Sequence, residues 1–269
     1  MALLNTANSV LGDGSDERMT VGLSGSETYN ITLSDDYFIS TWVKSTANAG
    51  SDEFLYGIHK GGSSSFNGEV YLMIHSSGVP RLVTTQTGTN TNVLGTTVIS
   101  NDGTWHHIMG VWNQGSVTLW LDGTQEGSGT ATQNGAIQTS KYAVSAFAYV
   151  FGGVASNVFT GNLTHCVFGN GWSDSSVSDL VARYYNSGNP IDITSDSDIK
   201  QWYQMPGVAS PSSTSDFGIN TQGNEANMVA TNFELADAVS DFPVGSIPVS
   251  AAGKGSAKLS YAKMGYGRG

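Results

Sequence analysis

"DGTWHHIMGVWNQGSVTLWLDG", residues 102–123, is the stretch on which the fold turns. Apolar and polar residues alternate on either side of Asn113-Gln114-Gly115. Trp105 to Trp112 therefore reads as one strand, and Val117 to Leu121 as the strand that returns beside it. Val117, Leu119 and Leu121 share one face of the second strand, Thr118 and Trp120 the other. Asp122-Gly123 then predicts a tight two-residue turn, because both central positions of a type I′ turn need positive φ. The adjacent His106 and His107 raise the question of a metal or catalytic site. Successive strand residues leave opposite faces of a sheet, so the two imidazoles are not expected to meet on one ion. The stretch reads as a structural hairpin.

The same alternation recurs along the chain. In "YFISTWVK", Tyr37, Ile39, Thr41 and Val43 share one face, and Phe38, Ser40 and Trp42 the other. "EVYLMIHSSGVPRLV" predicts a hairpin with Val70, Leu72 and Ile74 on one side and a turn near Ser77-Gly78. "KYAVSAFAYVFGG" and "VFTGNLTHCVFG" are apolar on both faces, as central strands covered on both sides would be. One helix is expected, over Val177 to Asn186. Ser176 is its N-cap with Asp179 three residues on, Val177, Leu180, Val181 and Tyr184 follow at helical spacing, and Gly188 and Pro190 close it. It is expected to pack at one edge of the sheets. A further strand is predicted over Ile199 to Met205, after which Met228, Phe233 and Leu235 return to the body. The fold class is thus all-β: an antiparallel two-sheet jelly-roll sandwich with one short helix. The sandwich is assigned to residues 1–250, and residues 251–269 form a basic, Gly-rich tail with four cationic side chains and no acidic one.

Composition narrows the function. The chain of 269 residues carries 22 acidic and 11 basic side chains, a formal net charge of −11. No basic stripe is present to neutralise phosphates, which argues against nucleic acid and against anionic membrane surfaces. A single domain of this length buries about 75% of its unfolded surface and needs no staple. The single cysteine, Cys166, excludes an intrachain disulfide and sits in an apolar strand, so an inert buried thiol is expected. "MALLNTANSVLGDGSDER" has neither a basic start nor a sustained apolar segment and does not read as a secretory signal. The expected course is folding in a host cytoplasm.

Three spaced motifs together resemble the laminin-G-like, concanavalin A-like sandwich domains. They are the 102–123 hairpin with its Trp-His pair and closing Asp-Gly, "LGDGSDERMTVG" followed by "YNITLSDDYFISTWVK", and "FTGNLTHCVFGNGWSDSSVSDLVARYYNSG". The closing segments "IKQWYQMPG" and "NMVATNFELADAVSDFP" look like those of virus-borne members. The resemblance implies adhesion, glycan binding or virion structure, and fold does not choose among these. The expectation is a bacteriophage virion structural protein, as a capsid decoration, fibre or other head- or tail-associated subunit. Its partners would be other virion subunits, copies of itself and a host-surface glycan, and its location the virion. The alternative is a carbohydrate-binding adhesion module outside any virion. Members of the family also carry acids after the late F-x-G motif that support a calcium site. Leu163, Thr164 and His165 stand there instead.

The residues offer little catalytic chemistry. Glucanases of this fold need two carboxylates flanking the scissile bond, yet no E-x-D-x-E pattern occurs, so no enzyme is expected. His59, His75, His106, His107 and His165 show no metal spacing. Asp13, Asp16 and Glu17 form the best acidic loop, and Asp13 and Asp16 are the calcium candidates, since calcium takes several oxygen ligands. No other cofactor is expected. Trp42, Trp105, Trp112 and Trp120 lie in predicted strands, where core packing is the expected use, although an exposed ring would make a sugar platform.

Overall fold

The structure, a computed structural model, describes residues 9–21, 36–47, 50–60, 69–86, 89–131, 142–151, 153–206, 211–219 and 227–243. The basic tail, and with it the predicted boundary at residue 250, lies outside the described residues. Two antiparallel sheets face each other. One runs, in spatial order, β10 (Thr124–Thr130), β9 (Ser116–Leu121), β8 (His106–Asn113), β3 (Asp36–Ser45), β14 (Thr160–Asn170), β1 (Ser9–Asp13) and β17 (Ala238–Val239), with β15 (Ile199–Tyr203) also pairing β14. The other runs β16 (Val229–Thr231), β2 (Arg18–Val21), β11 (Tyr142–Ala146), β4 (Glu53–Lys60), β5 (Glu69–Ile74), β6 (Pro80–Gln86) and β7 (Thr89–Leu94). A small hairpin, β12 (Tyr149–Phe151) with β13 (Val154–Ser156), stands apart from both.

The alternation read from the sequence sets which face each residue takes. Tyr37, Ile39, Val43, Val70, Leu72, Ile74, Val117, Leu119 and Leu121 all point into the core between the sheets. The turns that fix the register behave as their residues dictate. Leu121 pairs with Thr124 across Asp122 (φ 49°) and Gly123 (φ 78°), and Asn113 pairs with Ser116 across Gln114 (φ 47°) and Gly115 (φ 91°). Gly110 is required by close packing, because a Cβ there would stand 2.5 Å from Leu82 Cδ1 of the facing sheet.

A second apolar layer covers the outer face of the eight-stranded sheet. Helix α1 (Val177–Tyr185) lays Leu180, Val181 and Tyr184 onto Phe38, Met109, Val111 and Val167, and Ile191, Ile193, Ile199 and Trp202 complete the cluster. Burying each such aliphatic side chain contributes about 1.5–3 kcal/mol. The helix therefore lies across β3, β8 and β14, not at an edge, because Phe38, Met109 and Val111 give that outer face an apolar stripe of its own. Its N-cap is Ser176, whose hydroxyl accepts from the Asp179 N–H at 3.1 Å. Asn186, in left-handed conformation at φ 45°, ends it two residues before Gly188.

Two other expectations are corrected. The predicted strand through "KYAVSAFAYVFGG" breaks at Phe147, whose φ of 68° turns the chain out of β11 before β12 begins. Leu235 does not return to the core. It is exposed, while Met228 and Phe233 are buried as expected.

Candidate functional site

The opening stretch ends in a charge cluster. Asp102 accepts the Thr104 N–H at 2.9 Å and so turns its carboxylate back towards β8. His106 Nε2 meets Asp102 Oδ2 at 2.8 Å, and its Nδ1 meets Asp122 Oδ2 at 2.6 Å. Carboxylates only accept, so an imidazole holding one on each nitrogen donates from both and is charged. Burial alone would lower the His106 pKa. The hydrogen bonds and charges of Asp122 and Asp102 outweigh that and hold it above the ordinary histidine value. Asp122 is fixed in turn by the His107 N–H, which donates to its Oδ1 at 2.8 Å.

His107 leaves the opposite face, as expected, and enters the outer layer. Its ring lies 5.0 Å from that of Trp42 and 6.1 Å from that of Tyr185, the latter stacked at 26°. Gly123 lets the Asp122 turn close on Tyr185, since a Cβ there would stand 2.7 Å from Tyr185 Cδ1. These elements line an open cleft of about 560 Å³. Trp42 and Tyr185 form its floor, and Trp105, Asp122 and Thr104 one wall. The other wall is Asp241, Phe242 and Pro243, from the segment that follows β17. Asp241 joins the walls: Trp105 Nε1–H donates to its Oδ1 at 2.9 Å and Lys44 Nζ to its Oδ2 at 2.7 Å. Burial would raise the Asp241 pKa, but the bonds from Lys44 and Trp105 and the lysine charge hold it below the ordinary carboxylate value. The cleft thus combines half-buried rings with two carboxylates, Asp122 and Asp241, each fixed by hydrogen bonds.

Beneath the floor lies a small cavity lined by Ser40, Trp42, His107, His165 and Tyr184, among others. His165 reaches it through a β-bulge. Its φ is 52°, and it and Cys166 together oppose Thr41, so the ladder resumes only at Val167 and Ser40. Its Nδ1 accepts from Trp202 Nε1–H at 3.3 Å, while His165 Nε2 and His107 Nδ1 are buried without a hydrogen-bond partner. Burial pushes His107 down to about 4, against the pull of Asp122. It pushes His165 down to about 3, with the His107 charge lowering it further and Asp192 opposing. Cys166 is buried with its thiol pushed up to about 12, although the bond with Thr41 opposes the rise, so it stays protonated.

The calcium candidates separate. Asp13 pairs with Glu17 rather than with Asp16: both carboxyls face the Ser15 N–H, at 2.8 and 3.2 Å. The Asp13–Glu17 hydrogen bond is the main influence holding Asp13 below its ordinary pKa. Burial first, then that bond, raises Glu17. Asp16 meets Arg18 and Asn232 through its backbone carbonyl. Among the described residues no group of three or more His, Cys, Asp or Glu side chains is placed to hold a metal ion. Calcium takes six to eight oxygens. The loop brings two carboxyls, those of Asp13 and Glu17, to the Ser15 N–H.

The sequence reading singled out Trp105, His106 and His107 but missed Asp241, Phe242 and Tyr185. Asp241 is 136 positions from the tryptophan it binds, and nothing in its own neighbourhood marks it. Tyr185 had a signal, the second of two adjacent tyrosines ending an amphipathic helix. Trp42 and Trp112 are buried as expected, whereas Trp105 stands half-exposed ahead of β8.

Comparison with known proteins follows the fold. The sequence has no match among curated proteins. A carbohydrate-binding assignment has been given to a Bacteroides ovatus protein whose structure is similar, with a TM-score of 0.54 and 14% identity, over 83% of this chain and 57% of that one. The heptameric SAP-like pentraxin of Limulus polyphemus is similar at a TM-score of 0.49 and 14% identity, over 68% and 84% of the two chains. Domains LG4-5 of the mouse laminin α1 chain reach 0.46 and 15%, over 60% and 40%. The chain thus spans little more than half of the Bacteroides protein and less than half of the laminin fragment. At these identities the likeness is one of fold. Residues 13–165, more than half of the sequence, match the profile of one family. With its two antiparallel sheets and single short helix, the chain belongs to the concanavalin A-like lectin/glucanases superfamily.

Proposed function

We propose that the protein is a glycan-binding module, that its site is the cleft lined by Trp105, Asp122, Tyr185, Asp241 and Phe242, and that it binds without cleaving. The observation that carries this reading is the cleft itself, where the rings of Trp105, Tyr185 and Phe242 stand beside two carboxylates already fixed by hydrogen bonds. Sugar rings offer apolar faces to aromatic side chains and hydroxyls to fixed acceptors, and a concave site with few convergent polar groups suits them. Hydrolysis would need one carboxyl protonated near neutrality as a general acid. Asp241 is held ionised, and Asp122 accepts one bond on each oxygen, from His106 and from the His107 N–H.

Trp105→Ala tests the site. Losing the ring removes a stacking face and releases Asp241, so binding to a glycan array or in titration calorimetry is expected to weaken at least tenfold with an unchanged circular dichroism spectrum. Undiminished affinity would place the site elsewhere. Release of reducing sugar that disappears in Asp241→Asn would overturn the non-catalytic part.

The finer reading is that this module is a repeated subunit of a bacteriophage particle. The likeness of its motifs to virus-borne sequences and a chain incapable of an internal disulfide support it. Mass spectrometry of purified particles is expected to find the chain in multiple copies. Its absence from them would leave the alternative, an adhesion module outside any virion.

A further inference from the structure

Resting on the glycan-binding reading, we infer that the cleft sorts glycans by charge: it takes amine-bearing sugars most tightly, neutral ones less so, and turns away sialylated, uronate and sulfated ones. Two carboxylates, Asp122 and Asp241, line the cleft; His106, itself held by Asp102, binds the first, and Lys44 binds the second. Both cations are already engaged. His106 has a carboxylate on each ring nitrogen, and Lys44 is held on Asp241 at 2.7 Å. The acceptors are less committed. Each oxygen of Asp122 and Asp241 receives one bond from the protein, which leaves each a further lone pair, and both side chains line the cleft.

An acidic sugar needs a charge-assisted donor, and such bonds are about twice as strong as neutral ones. Among the described residues lining the cleft there is no arginine or lysine. A carboxylate or sulfate would instead meet Asp122 and Asp241, and the negative faces of the aromatic rings repel an anion as they attract a cation. The net charge of −11 adds a longer-range field of the same sign. An ammonium group on a sugar ring reverses every one of these contributions. It donates to the free lone pairs of Asp122 or Asp241 while the ring stacks on Trp105 or Tyr185. Neutral sugars gain the stacking and the hydroxyl bonds only.

The test uses the full chain and matched probes in titration calorimetry: a glucosamine trisaccharide, its N-acetylated form, lactose, sialyllactose and a heparin-derived oligosaccharide. The amine-bearing trisaccharide is expected to bind at least tenfold more tightly than the N-acetylated one at low salt, with the ratio shrinking in 0.5 M NaCl. Neither sialyllactose nor the heparin fragment is expected to bind. Asp241→Asn removes one carboxylate and releases Lys44, so it is expected to bring the amine preference towards unity and to admit sialyllactose. Sialyllactose or heparin binding the unaltered protein as well as lactose does would overturn the charge selection and leave the glycan reading standing, as would equal affinity for the amine and N-acetyl probes. No binding by any probe would overturn both.

Discussion

Lowering the pH from 7 to 4 is expected to remove about 3 kcal/mol of stability, because two histidines are buried neutral beneath the cleft. His107 and His165 have folded values of about 4 and about 3, both below the ordinary 6.5. As the pH falls through 6.5 the unfolded chain takes up two protons that the folded chain refuses, and stability declines until the folded values are reached. At about 1.36 kcal/mol per pH unit, each histidine costs about 3 kcal/mol by pH 4. Glu53 works against them. It is buried with one oxygen lacking a partner, and burial pushes it up to about 7 although the Thr160 backbone opposes the rise. The folded chain keeps that proton where the unfolded chain releases it, so stability declines as pH rises from about 4.5 to 7. Acidification therefore returns about 3 kcal/mol at this site. These three groups together give a flat profile above pH 6 and a steep loss below it. His106, held above its ordinary value, adds stability that is lost as pH rises through its folded value. His165→Asn, which keeps a side chain tolerant of left-handed φ, is expected to remove most of the loss in urea titrations at pH 7 and 4. An equal loss in that variant would put the acid sensitivity elsewhere.

The elements on either side of this histidine pair show what a sequence can reveal. β3, β8 and β9 were legible because their inward residues repeat every second position, and the turn at Asp122-Gly123 because few residues accept positive φ. The bulge at His165 has no such mark. A histidine there is held left-handed by its neighbours: Thr41 bonds the Thr164 carbonyl at 3.2 Å, and Trp202 donates to the His165 ring. The break at Phe147 is equally silent, since the apolar run continues through it. For the cleft, the hairpin supplied Trp105, Asp122 and His106 together, and their spacing pointed to a structural turn. What makes a site of them is the segment after β17, which pairs with β1 and brings Asp241 and Phe242 across the end of the sheet. That pairing depends on two residues of ladder and on the Ser9 hydroxyl donating to the Asp241 carbonyl at 2.5 Å. Short-range patterning carries no information on such a contact.

Arg183→Met is expected to cost about 3–5 kcal/mol and to weaken the cleft with it. Among the described residues the guanidinium is the one cation paired with Asp174, Asp196 and Asp198. Its Nη2 donates to Asp174 at 2.6 Å and to Asp198 at 3.0 Å, its Nη1 donates to Asp196, and its charge sits 4.8 Å from the centre of the Tyr184 ring. All four side chains are largely withdrawn from water, the most exposed at 16%. Removing one partner of a buried ion pair costs about 3–5 kcal/mol, because the remaining charge loses its compensation without regaining water. Here three carboxylates would be left facing one another. Tyr184 donates to Asp196 at 2.9 Å, so the disturbance passes to the helix face packed on Phe38 and to Tyr185 in the cleft floor. Arg183→Lys is expected to recover only part of the loss, since one ammonium cannot span three acceptors as the planar fork does. Removing one charge from the cluster separates this mechanism from lost packing. Repulsion among the aspartates falls when one of them becomes an amide, so Asp174→Asn added to Arg183→Met is expected to recover part of the loss in urea titrations. A gap below 1 kcal/mol at pH 7 would show that the arginine is not what holds the helix to the loop that follows it. A loss unchanged by Asp174→Asn would show that it is one of side-chain volume, because a packing defect does not depend on the carboxylate charge.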